Sequence, residues 1–128
     1  MAEAFYEPDW RTGKAVATRF TRADGQPSGI AGLWDVWTEP GKPPLLSFTM
    51  LTRNAADHAL LKSYHRAEDE KRIIVILPES RYADWLDAPP EQTQDFIRHF
   101  PADNLVATPM PPKKPQVNAQ KQLLPGGD

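Results

Sequence analysis

The 128-residue sequence contains no cysteine. Disulfides, thiolate metal sites and cysteine nucleophiles are therefore excluded within these residues. Neither sign of charge is in real excess. Fifteen basic residues against 17 acidic ones leave a net charge of −2 and a pI of about 5.9. No global basic field draws in nucleic acid, so any contact with DNA has to come from a local patch. The sequence has no aliphatic run long enough to span a bilayer. The opening "MAEAFYEPDW" also lacks the basic-then-apolar layout of a signal peptide. No membrane association is expected, and cytoplasmic residence is the default. A glycine-rich phosphate loop and a Gly-x-Ser-x-Gly elbow are both missing. No two histidines stand at ligand spacing, so neither a metal nor a cofactor is expected.

What is present fits one domain of ordinary size. Apolar residues make up 40% of the chain, with four tryptophans, enough for a real core. In "AVATRFTRADGQPSGIAGLWDVW", Val16, Thr18 and Phe20 alternate with small or charged residues, the period of a half-buried strand. "ADGQP" supplies turn chemistry. "GIAGLWDVW" reads as a strand covered on both faces, with Trp34 and Trp37 in the core. "LLSFTMLT" follows "TEPGKPP" as a third strand, so the first half predicts an antiparallel meander. "NAADHALLKSYH" changes to a helical period, with Asn54 as its N-cap. "RIIVILP" is a buried strand, "ESRYADWLD" and "PPEQTQDFIRHF" are short helices, and "NLVATPM" is a last strand. The fold class is α+β, a mainly antiparallel, barrel-like sheet with short flanking helices. Residues 1–108 form the domain, and 109–128, rich in proline, lysine and glutamine, an extended tail.

Two titratable residues stand out. Glu7 lies among aromatics in "AFYEPDW", where apolar rings raise a carboxyl's proton affinity and suit it to general-acid work. His65 precedes the "IIVIL" strand, and an imidazole exchanges protons near neutral pH. Arg66 beside it has the fork geometry to bind a phosphate. The plainer readings are a surface glutamate near the chain end and a solvated histidine at the end of a helix. His58 and His99 read as surface residues, and "RAEDEKR" as a solvated turn.

In order and spacing, "AFYEPDW", "GIAGLWDVW", "SFTMLTRNA" and "YHRAEDEKRIIVILP…YADWLD" resemble the SOS-response-associated peptidase (SRAP) family. The resemblance runs from about Ala4 to about Leu124. It implies a domain that crosslinks to abasic sites in single-stranded DNA through an N-terminal cysteine, by Schiff base and then thiazolidine. It implies catalytic roles in proton transfer and sugar-ring opening for Glu7 and His65. Arg66 becomes the phosphate-contacting arginine, with Thr52 and Arg53 beside the same pocket. The family's more usual text at the histidine is His-x-Arg-Met-Pro, whereas here Arg66 follows His65 directly. The family's opening Met-Cys-Gly-Arg is not in this sequence, so the chain is expected to be a truncated form, inactive alone. Uncovered apolar faces then predict marginal stability, self-association or pairing with an N-terminal fragment in trans. The rival reading is a non-catalytic interaction module with weak single-stranded DNA binding through Arg53, Arg66 and Arg72. A hydrolase built on a Glu–His pair lacks any nucleophile or metal site to accompany it. The resemblance also predicts geometry. Glu7, His65 and Arg66 should share one cleft, open on one side, with Trp34, Ile74 and Ile76 buried beneath it.

Overall fold

The computed structural model describes residues 1–112. Nine strands run in chain order as β1 (Phe5–Asp9), β2 (Val16–Arg22), β3 (Gly29–Ile30), β4 (Gly32–Trp37), β5 (Leu45–Met50), β6 (Thr52–Asn54), β7 (Arg72–Ile74), β8 (Ile76–Leu77) and β9 (Leu105–Pro109). One short helix, α1 (Tyr82–Asp87), and four 3-10 turns complete the described elements. Every strand pairing is antiparallel. The α+β class therefore holds, but no barrel closes. A three-stranded sheet, β1-β2-β9, stands beside three separate strand pairs.

Those pairs meet at one point. Ala31 separates β3 from β4, Leu51 separates β5 from β6, and Val75 separates β7 from β8. Ala31 N–H donates to Val75 C=O (2.9 Å), Val75 N–H to Leu51 C=O (2.9 Å) and Leu51 N–H to Ala31 C=O (3.0 Å). The three backbones thus close a ring of hydrogen bonds. Three bent strands diverge from it, each pairing with a different partner on either side: β3 with β8, β4 with β5, β6 with β7. Ala31 and Val75 are fully buried, where unpaired backbone groups are costly, and the ring satisfies them.

The junction also divides the core. Ile73 and Ile76, three residues apart, face a cluster with Phe20, Leu61, Tyr64 and Phe100. Val75 and Leu77 face a second cluster with Ala31 and Phe96, flanked by Trp85. "RIIVIL" is therefore buried on both sides, but as two strands whose alternation slips at Val75.

Several expectations need correcting. β2 does not pair with the next strand. Its neighbours are β1 and β9, so the meander reduces to the β4–β5 hairpin. That hairpin projects from the junction, and Trp34 and Trp37 are 73% and 66% exposed rather than in the core. Of the residues expected beneath the cleft, Ile76 is buried and Ile74 half-buried. The helix expected over 54–65 is a string of turns with one 3-10 turn at Leu61–Ser63. Side chains compete with the backbone ladder there. Asn54 Oδ1 accepts from Ala56 N–H (2.8 Å), and His58 Nδ1 accepts from the N–H groups of Leu60 (3.2 Å) and Leu61 (3.1 Å). His58 is accordingly buried, not on the surface, its Nε2 donating to Phe100 C=O at 2.8 Å. "PPEQTQDF" forms a 3-10 turn at Pro90–Phe96, "ESRYADWLD" a 3-10 turn followed by α1, and "NLVATP" becomes β9. The strand runs to Pro109, one residue into the expected tail, which from residue 113 on lies outside the described residues.

Phe20 ties the sheet to the core, stacked on Phe5 (5.0 Å between ring centres) and edge-on to Tyr64 (4.9 Å). Phe20→Ala is expected to cost about 3–5 kcal/mol of unfolding free energy. In the isolated chain, Trp34→Ala should cost no more than about 0.5 kcal/mol. Urea denaturation of both variants measures the contrast.

Candidate functional site

β1 is an edge strand, which explains how it accommodates Pro8. A residue without an N–H is tolerated where one side of the ladder is unpaired. Alternation along β1 sends Phe5, Glu7 and Asp9 to one face, opposite Phe20, Thr18 and Val16 of β2. That face is the core side, since Phe20 and Thr18 are buried, while Tyr6 on the other face is exposed. Glu7 therefore continues an apolar stripe, and its side chain retains only 18% exposure.

The Phe5–Phe20–Tyr64 contacts dock the end of the Leu61–Ser63 turn against this stripe. Tyr64 is followed directly by His65. Registration of the aromatics thus places His65 Nε2 3.7 Å from Glu7 Oε2, although 58 positions separate the two in sequence. His65 Nε2 also donates to Arg72 C=O at 3.0 Å. A carbonyl only accepts, so Nε2 carries the proton and Nδ1 is the nitrogen left for another partner. The next residues interleave as well. The Arg66 guanidinium lies 4.1 Å from the centre of the Trp10 ring, and that of Arg11 5.2 Å from Tyr64.

Two carboxyls on the same stripe shift in opposite directions. Burial pushes Glu7 above its ordinary value, with the nearby His65 offsetting part of the effect. Asp9 is held below its ordinary value, first by the Arg11 side-chain hydrogen bonds, with Arg11 Nη2 2.6 Å from Asp9 Oδ2. Two carboxyls pushed apart in proton affinity can divide acid and anion roles between them.

A depression of about 430 Å³ opens beside the pair, lined by Trp10, Arg11, Lys62, His65 and Lys71 together with small residues of the same turns. No acidic residue lines it. A slightly acidic chain thus carries a local basic patch with an aromatic ring in it. Glu7 is not among the lining residues and reaches the depression through His65. Arg66 borders it through its stack on Trp10. Thr52 is connected more remotely. Its Oγ1 accepts from Arg72 Nε (2.8 Å) and its carbonyl from Arg72 Nη2 (3.0 Å), and Arg72 is the residue whose own carbonyl holds His65.

Arg53 lies elsewhere. Alternation puts it on the opposite face of β6 from Thr52, where it donates to Ile97 C=O (3.2 Å) and lies 4.0 Å from Asp57. Asp57 in turn is bonded to a half-buried His99 at 2.6 Å. Sequence reasoning passed over Trp10, Arg11, Lys62 and Lys71. The "DWR" text straight after the glutamate motif was the available signal, as aromatic and cation adjoin there.

A family model described as SOS response associated peptidase (SRAP) matches residues 1–118. Among solved structures, a Bordetella bronchiseptica protein from the Northeast Structural Genomics Consortium is 57% identical with a TM-score of 0.81. The match covers 85% of this chain and 52% of that one. A Bacteroides thetaiotaomicron protein from the same consortium shares the fold at 17% identity and a TM-score of 0.68, over 84% of this chain and 46% of its own. The chain thus spans about half the length of the solved structures it matches. No curated protein matches it significantly.

The shift at Glu7 fixes a sign. A carboxyl whose folded-state pKa is raised binds more protons folded than unfolded, so stability falls as pH rises through the window above 4.5. Glu7→Gln is therefore expected to raise Tm at neutral pH and to flatten that fall. Thermal melts of both proteins from pH 4 to 8 (an assay range of about four units) provide the check.

Proposed function

Because the chain belongs to the SOS response associated peptidase (SRAP) family, we propose that the depression beside His65 receives an abasic site in single-stranded DNA. In this reading Glu7 and His65 open its sugar ring. The observation that carries the reading is the 3.7 Å approach of these two side chains at the rim of a basic, tryptophan-bearing depression.

Opening the closed sugar moves two protons. The C1′ hydroxyl gives one up, and the ring oxygen O4′ takes one as the C1′–O4′ bond breaks, leaving an aldehyde and a free 4′-hydroxyl. His65, with Nε2 fixed on Arg72 C=O, offers Nδ1 as the base. Glu7, kept protonated by burial to a higher pH than an exposed glutamate, is the source of the second proton, which reaches O4′ by way of a water because Glu7 does not itself line the depression. Arg11, Lys62 and Lys71 supply phosphate contacts, and Trp10 a stacking surface braced from behind by Arg66. A thiazolidine needs a thiol, and these 128 residues contain none. The chain is therefore assigned recognition and ring opening, with stable crosslinking dependent on a cysteine outside these residues.

Capture of the abasic aldehyde by an aminooxy probe, under conditions where ring opening limits the rate, tests the chemistry. The chain is expected to accelerate capture, and His65→Ala to reduce that acceleration by about 100-fold or more. Lys71→Ala should lower the slope of log affinity against log salt by about 0.7 for abasic and intact strands alike. Equal affinity for both strands with no acceleration would leave a DNA-binding module without catalysis.

A further inference from the structure

A second cavity, of about 320 Å³, lies between the end of β8 and residues 95–104, and shares no lining residue with the depression beside His65. Its size suits a compact ligand. Leu77, Phe96 and Phe100 with two prolines give it apolar walls, and its polar members are Arg81, Asp95, Arg98, His99 and Asn104. Two guanidiniums against one carboxylate leave the lining positive. Asp95 is exposed, so water screens its charge.

Two of these side chains hold nitrogens whose bonding is incomplete. Among the described residues, three buried side-chain nitrogens have no hydrogen-bond partner. Two of them, Arg81 Nε and His99 Nδ1, belong to residues that line this cavity. Buried polar groups of this kind are costly unless something meets them. The Arg81 guanidinium sits over the Phe96 ring, 4.3 Å from its centre. Asp84 Oδ2 lies 3.1 Å from Arg81 Nε, but outside hydrogen-bonding geometry. His99 is held in place through its other nitrogen. Its Nε2 meets Asp57 Oδ1 at 2.6 Å, and its ring packs edge-on to buried His58 with 5.1 Å between centres. The hydrogen bond from His99 is the main cause that holds the Asp57 carboxyl below its ordinary value. Asp57 is thus the charged acceptor and Nε2 carries the proton. Nδ1 is then a lone pair in the neutral ring and a donor in the imidazolium.

We propose that this cavity binds a compact phosphate monoester with an apolar body, its head group held by Arg81, Arg98 and His99 and its body resting against Phe96 and Phe100. Guanidiniums suit the head group, because their forked donors match phosphate oxygens. His99 decides for a phosphate over a carboxylate. A phosphate monoester near neutral pH exchanges between one and two charges, so it has a proton to share with Nδ1. Its P–O–H donates to the neutral ring, or its dianion accepts from the imidazolium. A carboxylate at that pH has no proton to give and meets only the imidazolium. The proposal stands apart from what the basic depression binds.

Calorimetric titration of the full 128-residue chain with phenyl phosphate at neutral pH is the test, with amide and imidazole nitrogen shifts recorded alongside. The expected result is one-to-one binding with a Kd of about 1 mM or tighter. Amide shifts should centre on Phe96, His99 and Asn104, and the His99 Nδ1 resonance should move upfield as it gains a hydrogen-bonded proton. Phenol and inorganic phosphate, each carrying one half of the ligand, should bind at least about 10-fold more weakly. Arg98→Gln, at an exposed position, should weaken binding by about 10-fold or more without changing the far-UV spectrum. Five outcomes overturn the proposal. They are shifts confined to Trp10, Lys62 and Lys71 (the phosphate then sits in the basic depression), benzoate binding as tightly as phenyl phosphate, an Nδ1 resonance unmoved at saturation, an affinity untouched by Arg98→Gln, or no binding at all. None of these readouts involves an abasic site, so the proposal can fail while the reading of the depression stands.

Discussion

The ring of three backbone hydrogen bonds joining Ala31, Leu51 and Val75 is the constraint on which the rest of this fold depends. The Ala31 and Val75 backbones, at residues with 0% exposure, must have their donors and acceptors paired, and the partly buried Leu51 completes the three-way arrangement where three strands change partners at one level. Once it is closed, the directions of β4–β5, β6–β7 and β3–β8 follow. β7 then delivers the Arg72 carbonyl to His65, and β3–β8 closes over Phe96 and Trp85. The site and the projecting hairpin are two arms of the same vertex.

Much of the local pattern was legible beforehand. Val16, Thr18 and Phe20 announced β2 by alternation, and "NLVATP" announced β9 by composition. What could not be read was the pairing. Nothing local in β2 says that its neighbours are β1 and a strand more than eighty residues later, because pairing is decided by which faces can be buried together. Trp34 and Trp37 misled for a related reason. Apolar residues on consecutive positions signal a strand covered on both sides, and the signal is silent on whether the cover lies within the same 128 residues. The helix expected over 54–65 failed for a different cause. The apolar spacing was right, but Asn54 and His58 satisfy local N–H groups with their side chains and break the ladder into turns.

The site was legible in its two titratable members and not in its surroundings. Glu7 and His65 were singled out as residue types in context, and the aromatic docking of Tyr64 on Phe20 brings them within 3.7 Å. The cations that give the depression its sign come from three separate turns, and no single stretch of sequence displays them together. Arg66 and Trp10 show the same limit. Each was visible alone, but the stack that joins them is a product of the fold. Arg53, adjacent in sequence to Thr52, belongs to the Asp57 and Ile97 side instead, because neighbouring residues of a strand point in opposite directions.

The position of β9 has a temporal consequence. Leu105–Pro109 pairs with the Thr18–Arg22 stretch of β2, so the sheet that holds Glu7 remains one strand short until nearly all of the described chain has emerged from the ribosome. Long-range antiparallel closure of this sort is slow compared with formation of the β4–β5 hairpin, whose strands are joined by one short turn. In the nascent chain the apolar hairpin therefore forms early and the basic depression late. For that interval β2 has a free edge and the hairpin a free face, the two surfaces through which growing chains on neighbouring ribosomes most readily associate.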